Sequence, residues 1–194
     1  MRRGPLLALT LLLACDDGPP DDDHRLVAKT PACDPVAEWS DDDTAFEDRA
    51  VALINEVRTR GGACGATTYP RLPPLATSPA LRCAARVQAS SMAVGGYVDH
   101  RDPSQEDAPG LYDRLVDAGY PQSTYVEIIG VGWPSADEAV DAWLTSELTC
   151  WKLMSPDLRE IGIGVTIGDT PSDDDVDEDG RSHFWDVVIA VPNG

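Results

Sequence analysis

One short stretch near the C-terminal end decides the fold: Ile161-Gly162-Ile163-Gly164-Val165-Thr166-Ile167. Glycine alternates here with β-branched residues. That pattern predicts a strand that another element covers closely, because a glycine adds no side chain between the strand and its neighbour. Two more strands are predicted at 125–133 and 184–191, where β-branched and aromatic residues are frequent. The acidic segment 169–182 would connect the last two strands as a long hairpin loop.

Helical patterns precede these strands. Thr44 and Glu47 have the spacing of a capping box, in which a hydroxyl and a carboxylate three residues apart satisfy free amides at a helix start. Apolar residues then recur at helical spacing until Gly61-Gly62, which predicts the end of the first helix. Ser78-Pro79 predicts the start of a second helix that ends at Gly95-Gly96.

Two further helices complete the pattern. A short one is predicted at about 110–118, and a capping box at 135–138 begins the other. Helices therefore come first and the strongest strands come last. We predict an α+β fold in which a small antiparallel sheet lies between helices, an α-β-α sandwich.

The composition suits one globular domain. The 194 residues are 42% hydrophobic and 25% charged, which fits a single domain of about 150 residues but not two full domains. The net charge of −19 argues against nucleic acid as a partner, since phosphate binding needs a basic surface. Much of the negative charge is confined to two segments, with ten acidic residues at 16–43 and seven at 169–179.

The N-terminal residues have the parts of an export signal. Two arginines precede an apolar run over 6–14, which is far shorter than the roughly 20 residues of a membrane-spanning helix. The run ends in Leu12-Leu13-Ala14-Cys15, which resembles the lipobox of bacterial lipoproteins. We predict a lipoprotein-type signal peptide at 1–14 and acylation of Cys15. The alternative is an ordinary secretory signal in which Cys15 is incidental.

The segment after the signal is predicted to be a tether. Residues 15–43 are acidic and hold few side chains that could pack, which is typical of a flexible chain. The protein is then exported, and it is either a membrane-anchored lipoprotein of the bacterial cell envelope or secreted. Its expected partners are the membrane, through the lipid anchor, and an unknown envelope or extracellular ligand.

Four cysteines follow Cys15 in the chain: Cys33, Cys64, Cys83 and Cys150. An even number in an oxidising compartment predicts disulfide bonds, and no two have the Cys-x-x-Cys spacing of zinc sites and redox motifs. Four cysteines allow three pairings, and spacing alone does not choose among them.

A series of short motifs indicates a family. In chain order they are Ile54-Asn55-Glu56-Val57-Arg58, Pro74-Leu75, Met92, Gly96-Tyr97-Val98-Asp99-His100, Arg114 with Gly119-Tyr120, Glu127-Ile128-Ile129, the block from Trp143 to Thr149, Met154-Ser155-Pro156, and Glu160-Ile161-Gly162-Ile163-Gly164. Each motif is weak by itself. Their order over about 46–192 resembles the bacterial branch of the CAP superfamily, also called the SCP domain, which comprises cysteine-rich secretory, antigen 5 and pathogenesis-related proteins. The resemblance implies one CAP-like domain over 46–192.

The resemblance also implies a cleft, where the family carries two histidines and acidic residues that can bind a divalent metal. His100 and Glu127 occupy matching positions. Thr149 stands where the family has its second histidine, and a hydroxyl is a poor zinc ligand. Glu147, two residues earlier, is a further candidate carboxylate. The cleft candidates His100, Glu127, Glu147 and Thr149 therefore form an incomplete metal site.

The same resemblance implies a disulfide pairing. Relatives with cysteines at these two positions look as if they bridge the exit of the first helix to the cleft block, which pairs Cys64 with Cys150. That leaves Cys33 to pair with Cys83, tying the end of the tether to the second helix.

The acidic loop has the register of a calcium-binding loop. Asp175, Asp177 and Asp179 stand at positions 1, 3 and 5, Gly180 at position 6 and Asp186 at position 12. Position 12 holds an aspartate instead of the longer glutamate, and no helix flanks the loop. Calcium is therefore a candidate cofactor with these four aspartates as ligands. The alternative is a solvated acidic hairpin loop.

Three functions are consistent with the sequence. The first, which we favour, is an envelope lipoprotein whose CAP domain is a non-catalytic binding or interaction module with a degenerate metal cleft. The second is a metal-assisted, peptidase-like hydrolase that uses Glu127 as base and His100 as metal ligand. The third is lipid or sterol binding in an apolar groove, which the resemblance permits. The Gly-x-Ser-x-Gly motif of serine hydrolases is absent from the sequence.

Overall fold

The computed structural model describes residues 26–120, 124–169 and 181–191. Within these residues a short 3-10 turn at Asp34–Val36 comes first. The helices and strands that follow it are, in chain order, α1 (Asp41–Arg60), β1 (Gly62–Cys64), β2 (Thr67–Tyr69), β3 (Ala76–Thr77), α2 (Pro79–Gly95), α3 (Leu111–Asp117), β4 (Tyr125–Val131), α4 (Ala136–Thr145), α5 (Glu147–Leu153), β5 (Glu160–Asp169) and β6 (Arg181–Ala190).

Four strands form the main sheet in the order β3-β5-β6-β4. β6 pairs antiparallel with both β5 and β4, whereas the two-residue strand β3 pairs parallel with β5. The short strands β1 and β2 form a separate antiparallel hairpin. The three strands that the sequence predicts are confirmed as β4, β5 and β6, and β1 to β3 are additional.

Helices cover both faces of this sheet. On one face, Ile54 of α1 and Trp143 of α4 pack with Ile163 of β5 and Val187 of β6 in the largest apolar cluster. On the other face, α2 and α3 pack on Val188 and its neighbours in β6. The predicted α+β class and the α-β-α sandwich are therefore confirmed.

The glycines of β5 face α2 at a distance that leaves no room for a side chain. A Cβ atom at Gly162 would lie 2.1 Å from the backbone nitrogen of Arg82, and one at Gly164 would lie 2.4 Å from that of Arg86. The prediction of a closely covered strand is confirmed, and the covering element is α2. This contact fixes the position of α2 on the sheet. It thereby also fixes where the loop after α2 begins.

α1 begins earlier than the sequence predicts. Its N-cap is Ser40, whose Oγ accepts a hydrogen bond from the Asp43 amide at 3.0 Å. Thr44 and Glu47 lie inside the helix instead, where both side chains accept hydrogen bonds from the buried guanidinium of Arg86. The predicted capping box is therefore wrong, because two helix residues that face one buried partner can have the same spacing as a cap.

The other helix ends agree with the sequence. Gly61 ends α1 with a φ of 79°, and Gly96 ends α2 in the left-handed conformation with a φ of 62°. Pro79 is the first residue of α2, and the Ser135 side chain caps α4. Helix α5 is one that the sequence does not predict.

Residues 26–43 belong to the folded body, so the prediction of a flexible tether over 15–43 is wrong for this part. Val27 and Val36 are buried, and Cys33 is bonded to Cys83 of α2. The Trp39 indole donates a hydrogen bond to a backbone carbonyl of β5 at 3.0 Å. The acidic composition misleads because a few apolar residues and one disulfide are enough to hold the segment. Residues 1–25, with the predicted signal peptide and Cys15, lie outside the described residues.

Both expected disulfides are confirmed. Cys33 bonds to Cys83 and Cys64 to Cys150, each with a Cα–Cα distance of 5.5 Å. The first joins the segment before α1 to α2, and the second joins β1 to α5. Two disulfides fit an exported protein. Within the described residues, no helix combines the length and the apolar character that crossing a membrane requires.

Candidate functional site: a groove at Glu127

His100 and Glu127 meet at the edge strand of the sheet. Glu127 lies in β4, and His100 lies in the loop after α2. The Gln88 side chain of α2 donates a hydrogen bond to the Asp99 carbonyl at 2.5 Å, which holds this loop against the helix. His100 Nδ1 and Glu127 Oε2 are hydrogen-bonded. The Glu127 side chain is 5% exposed and that of His100 is 55% exposed, so the imidazole shields the carboxylate from solvent.

Arg114 of α3 forms hydrogen bonds with both His100 and Glu127. Its Nη2 atom donates to Glu127 Oε1, and its Nη1 atom donates to the backbone carbonyls of His100 and Pro109 at 3.2 and 3.1 Å. Both side chains of the Arg114–Glu127 ion pair are buried, so each charge depends on the other for compensation. The sequence places Arg114 in a motif but does not indicate this pairing, because the two residues lie in different elements.

Lys152 of α5 also reaches this site, although the sequence did not mark it as a candidate. Its Nζ atom donates a hydrogen bond to the backbone carbonyl of Glu127 at 2.7 Å. Partial burial lowers the pKa of the Lys152 ammonium, and the negative charge of Glu127 opposes that shift. The sequence gives no signal for this contact, because Lys152 reaches the site from α5, a helix that the sequence does not predict.

An open groove of about 430 Å³ lies over these residues. Its lining combines charged or polar side chains with aromatic and aliphatic ones: His100, Arg101, Glu127 and Lys152 with Leu111, Tyr112, Tyr125 and Val126. Tyr112 is half-exposed, so a ligand can contact it. A groove with this lining can bind a small polar molecule that carries an apolar group.

Two of the predicted cleft residues do not enter the groove. The Thr149 hydroxyl donates to the carbonyl of Trp143 in the preceding helix α4 at 2.5 Å. Glu147 is exposed at the first turn of α5, and its carboxylate lies against Gly65 in the turn of the β1–β2 hairpin. The expectation that Glu147 supplies a cleft carboxylate is therefore wrong. The physical reason is that α5 begins at Glu147 and directs Lys152, five residues later, to the groove.

Asp186 is a buried carboxyl on the same sheet face as Glu127. It is 0% exposed and pairs in register with Gly164 of β5 and Ile129 of β4. Neither of its carboxyl oxygens has a hydrogen-bond partner among the residues that the structure describes. Burial and, next, the charge of Glu127 raise the pKa of Asp186 well above its ordinary value, which favours the protonated form.

This position contradicts the expectation that Asp186 is the twelfth ligand of a calcium loop. A carboxyl enclosed between the sheet and α2 is closed to an ion that residues 175–179 would hold. The other three predicted ligands, Asp175, Asp177 and Asp179, lie outside the described residues. Calcium binding by that segment stays a prediction.

The groove does not fit a divalent metal ion. Zinc takes three or four nitrogen, sulfur or carboxylate ligands from a protein, and His100 and Glu127 supply two at most. Over residues 26–120, 124–169 and 181–191, no three His, Cys, Asp or Glu side chains converge in a way that could hold a metal. Arg114 also binds the Glu127 carboxylate and Lys152 binds the backbone carbonyl of Glu127, and these two cations would repel a metal at that carboxylate.

The fold and the groove agree with a family match. Residues 51–185, more than half of the chain, match the cysteine-rich secretory protein family, CAP. The chain belongs to the CAP family. The resemblance that the sequence motifs indicate is thereby confirmed, and the groove lies where the CAP motifs with His100 and Glu127 meet.

Bacterial proteins are among those similar to this CAP domain. The uncharacterized protein YkwD of Bacillus subtilis is 28% identical over 121 residues, which cover 62% of this chain and 42% of that protein. The structure of an extracellular SCP-domain protein from Bacillus anthracis has a TM-score of 0.60 at 19% identity and covers 80% of this chain and 45% of its own. An outer surface protein from Borrelia burgdorferi has a TM-score of 0.58 at 17% identity, covering 80% and 97%.

The similarity to these proteins is limited in identity and in coverage. At 19% and 17% identity the two solved structures show the fold alone. The chain also spans less than half of the length of the two Bacillus proteins. These proteins therefore do not show the activity of this CAP domain.

Proposed function

We propose that this CAP domain is a non-catalytic binding module of the bacterial envelope, with the groove at Glu127 as its ligand site. One observation carries the proposal: both carboxylate oxygens of Glu127 are hydrogen-bonded by protein side chains, Oε1 by Arg114 and Oε2 by His100. A metal-assisted hydrolase needs a carboxylate aimed at a water molecule and a metal to activate that water. Here the carboxylate serves the ion pair, and its neighbour Lys152 is a cation.

The lining of the groove favours a polar ligand over a lipid or sterol. Four of its side chains are acidic or basic: His100, Arg101, Glu127 and Lys152. A bound apolar tail would bury these groups away from water. That burial costs free energy, because the tail offers them no hydrogen bonds. A polar ligand with an apolar part is a better match to the same surface.

The proposal includes attachment to a membrane through acylated Cys15. It is supported by the lipobox-like residues at 12–15, by the two disulfides, which form in oxidising compartments, and by extracellular or outer-surface relatives. The folded body begins by residue 26. An anchor at Cys15 would lie eleven positions before Leu26, the first residue that the structure describes.

The hydrolase alternative gives a direct test. The purified chain is incubated with zinc, dialysed and analysed for bound metal, and its hydrolysis of fluorescently labelled casein is measured. We expect no retained zinc and no hydrolysis that distinguishes the wild type from Glu127→Gln. The control variant Glu106→Gln changes an exposed carboxylate outside the groove. Stoichiometric zinc together with hydrolysis that Glu127→Gln abolishes and Glu106→Gln preserves would overturn the proposal.

A further inference from the structure

We propose that the groove binds its ligand through a carboxylate group, with Lys152 and Arg101 as the two cationic contacts. The inference rests on the proposed function, since it names the ligand chemistry of that same groove. It assigns a role to two residues that lie outside the Arg114–Glu127 ion pair.

The charge of the groove is opposite to that of the chain. The protein has a net charge of −19 and only two lysines, Lys29 and Lys152, of which the second lines the groove. Glu127 is the one acidic side chain in the lining, and its charge is compensated by Arg114. The charges of Lys152 and Arg101 are therefore left in excess, and an anionic group of the ligand would balance them.

Lys152 is held in place with donors to spare. Its ammonium carries three hydrogens, and the structure shows one hydrogen bond for it, to the Glu127 carbonyl. Among the described residues, no carboxylate lies within ion-pair distance of its Nζ atom. The cation is also half-buried and so has lost part of its hydration. A ligand carboxylate would restore both the hydrogen bonds and the charge compensation.

Arg101 presents a second set of donors. Its guanidinium lies against the backbone at Gly110, where a Cβ atom would be 2.6 Å from Nη2. Glycine at that position therefore allows the guanidinium to lie flat beside the groove. The Arg101 side chain is exposed and makes no hydrogen bond or ion pair with a described residue. An unpaired guanidinium can bind both oxygens of a planar carboxylate.

The rest of the lining limits the ligand further. Tyr112, Tyr125 and Leu111 offer apolar contact next to the cations. A volume of about 430 Å³ suits a small ligand. The combination fits a carboxylate next to an apolar side chain, as at the C-terminal end of a short peptide.

Calorimetric titration of the full chain in nonionic detergent tests this inference. The probe is N-acetyl-leucyl-phenylalanine with a free carboxylate, and its matched control is the same dipeptide as the C-terminal amide. We expect the acid to bind at least about fivefold more tightly than the amide, and added salt to weaken only the acid. Lys152→Gln and Arg101→Gln should each weaken the acid about fivefold, whereas Lys29→Gln, an exposed lysine outside the groove, should not.

The other outcomes separate the two proposals. Equal binding of acid and amide that Tyr112→Ala weakens would overturn the carboxylate inference and leave the binding module in place. Tighter binding of phenyl phosphate than of the acid, or no binding of either dipeptide, would also overturn the inference. The proposed function itself fails only on zinc-dependent hydrolysis that requires Glu127.

Discussion

Arg114 donates a hydrogen bond to Glu127 in an ion pair whose side chains are only 3% and 5% exposed. The pair connects α3 to β4, and the same guanidinium binds the carbonyl of His100, so the floor of the groove depends on one arginine. A buried ion pair of this kind is costly to break, because the remaining charge is left without compensation. The Arg114–Glu127 ion pair therefore stabilises the arrangement of the residues that line the groove.

The first prediction concerns this pair. Arg114→Met leaves Glu127 buried without its cation, and we expect the free energy of unfolding to fall by about 3–5 kcal/mol. The double variant Arg114→Met/Glu127→Met removes both charges and should regain much of that loss. Urea denaturation followed by circular dichroism measures both values.

A matched control for that prediction is the exposed pair of Arg49 and Asp137, at 2.7 Å. Its two side chains are 54% and 59% exposed, so water compensates either charge when the other is removed. Arg49→Met should change the stability little. A similar loss for Arg49→Met and Arg114→Met would contradict the argument from burial.

The second prediction concerns the pH dependence that Asp186 causes. Because burial raises its pKa in the folded state, the folded protein binds this proton more tightly than the unfolded chain does. The stability contributed by the protonated group is complete below the unfolded value of 3.8 and is lost as the pH rises toward the folded value. The asparagine in Asp186→Asn cannot ionise, so the variant does not lose stability in this way as the pH rises.

We therefore expect the stability of Asp186→Asn, relative to the wild type, to increase as the pH is raised from about 4 to 7. Guanidinium denaturation at several pH values measures the difference. Asp117→Asn, a change at an exposed position at the end of α3, is the control. A pH-independent difference between Asp186→Asn and the wild type would show that Asp186 ionises alike in both states.

The fold could be predicted from the sequence wherever the signal is local or periodic. The glycines of β5, the stop at Gly61 and the Ser78-Pro79 start all act within a few residues, and each is confirmed. The capping box at Thr44 fails for the opposite reason. Its two residues are spaced as a cap, but the partner that uses them is Arg86, 42 residues from Thr44.

The site could be predicted only in part. His100 and Glu127 are brought together as the family motifs imply, but Arg114 and Lys152 reach Glu127 from other elements. Their roles depend on how α3 and α5 pack, which no short motif records. Glu147 was misplaced because the sequence did not indicate that a new helix starts there.

The third prediction concerns the anchor. If Cys15 is acylated, cells that express the protein should incorporate radiolabelled palmitate into it, and Cys15→Ala should abolish the label. Cys15→Ala should also move the protein from the membrane fraction to the soluble fraction. The four other cysteines are paired in disulfides and are not acceptors. Label that persists in Cys15→Ala would remove the lipid anchor from the proposed function.

The last prediction concerns the contact between β5 and α2. A Cβ atom at Gly164 would lie 2.4 Å from the backbone nitrogen and 2.5 Å from the carbonyl carbon of two successive α2 residues, Arg86 and Ala85. Backbone atoms do not move aside as a flexible side chain does, so Gly164→Ala has to push α2 away from the sheet. We expect a loss of about 2–3 kcal/mol in the free energy of unfolding.

Gly62→Ala is the control for that loss. The nearest atom to a Cβ there is a side-chain methyl of Val57 at 3.7 Å, which is ordinary contact. Because α2 carries Gln88, which holds the loop of His100, Gly164→Ala should also shift the nuclear magnetic resonance signals of His100, whereas Gly62→Ala should leave them unchanged. Equal stability of the two variants would mean that α2 does not lie as close to β5 as the structure has it.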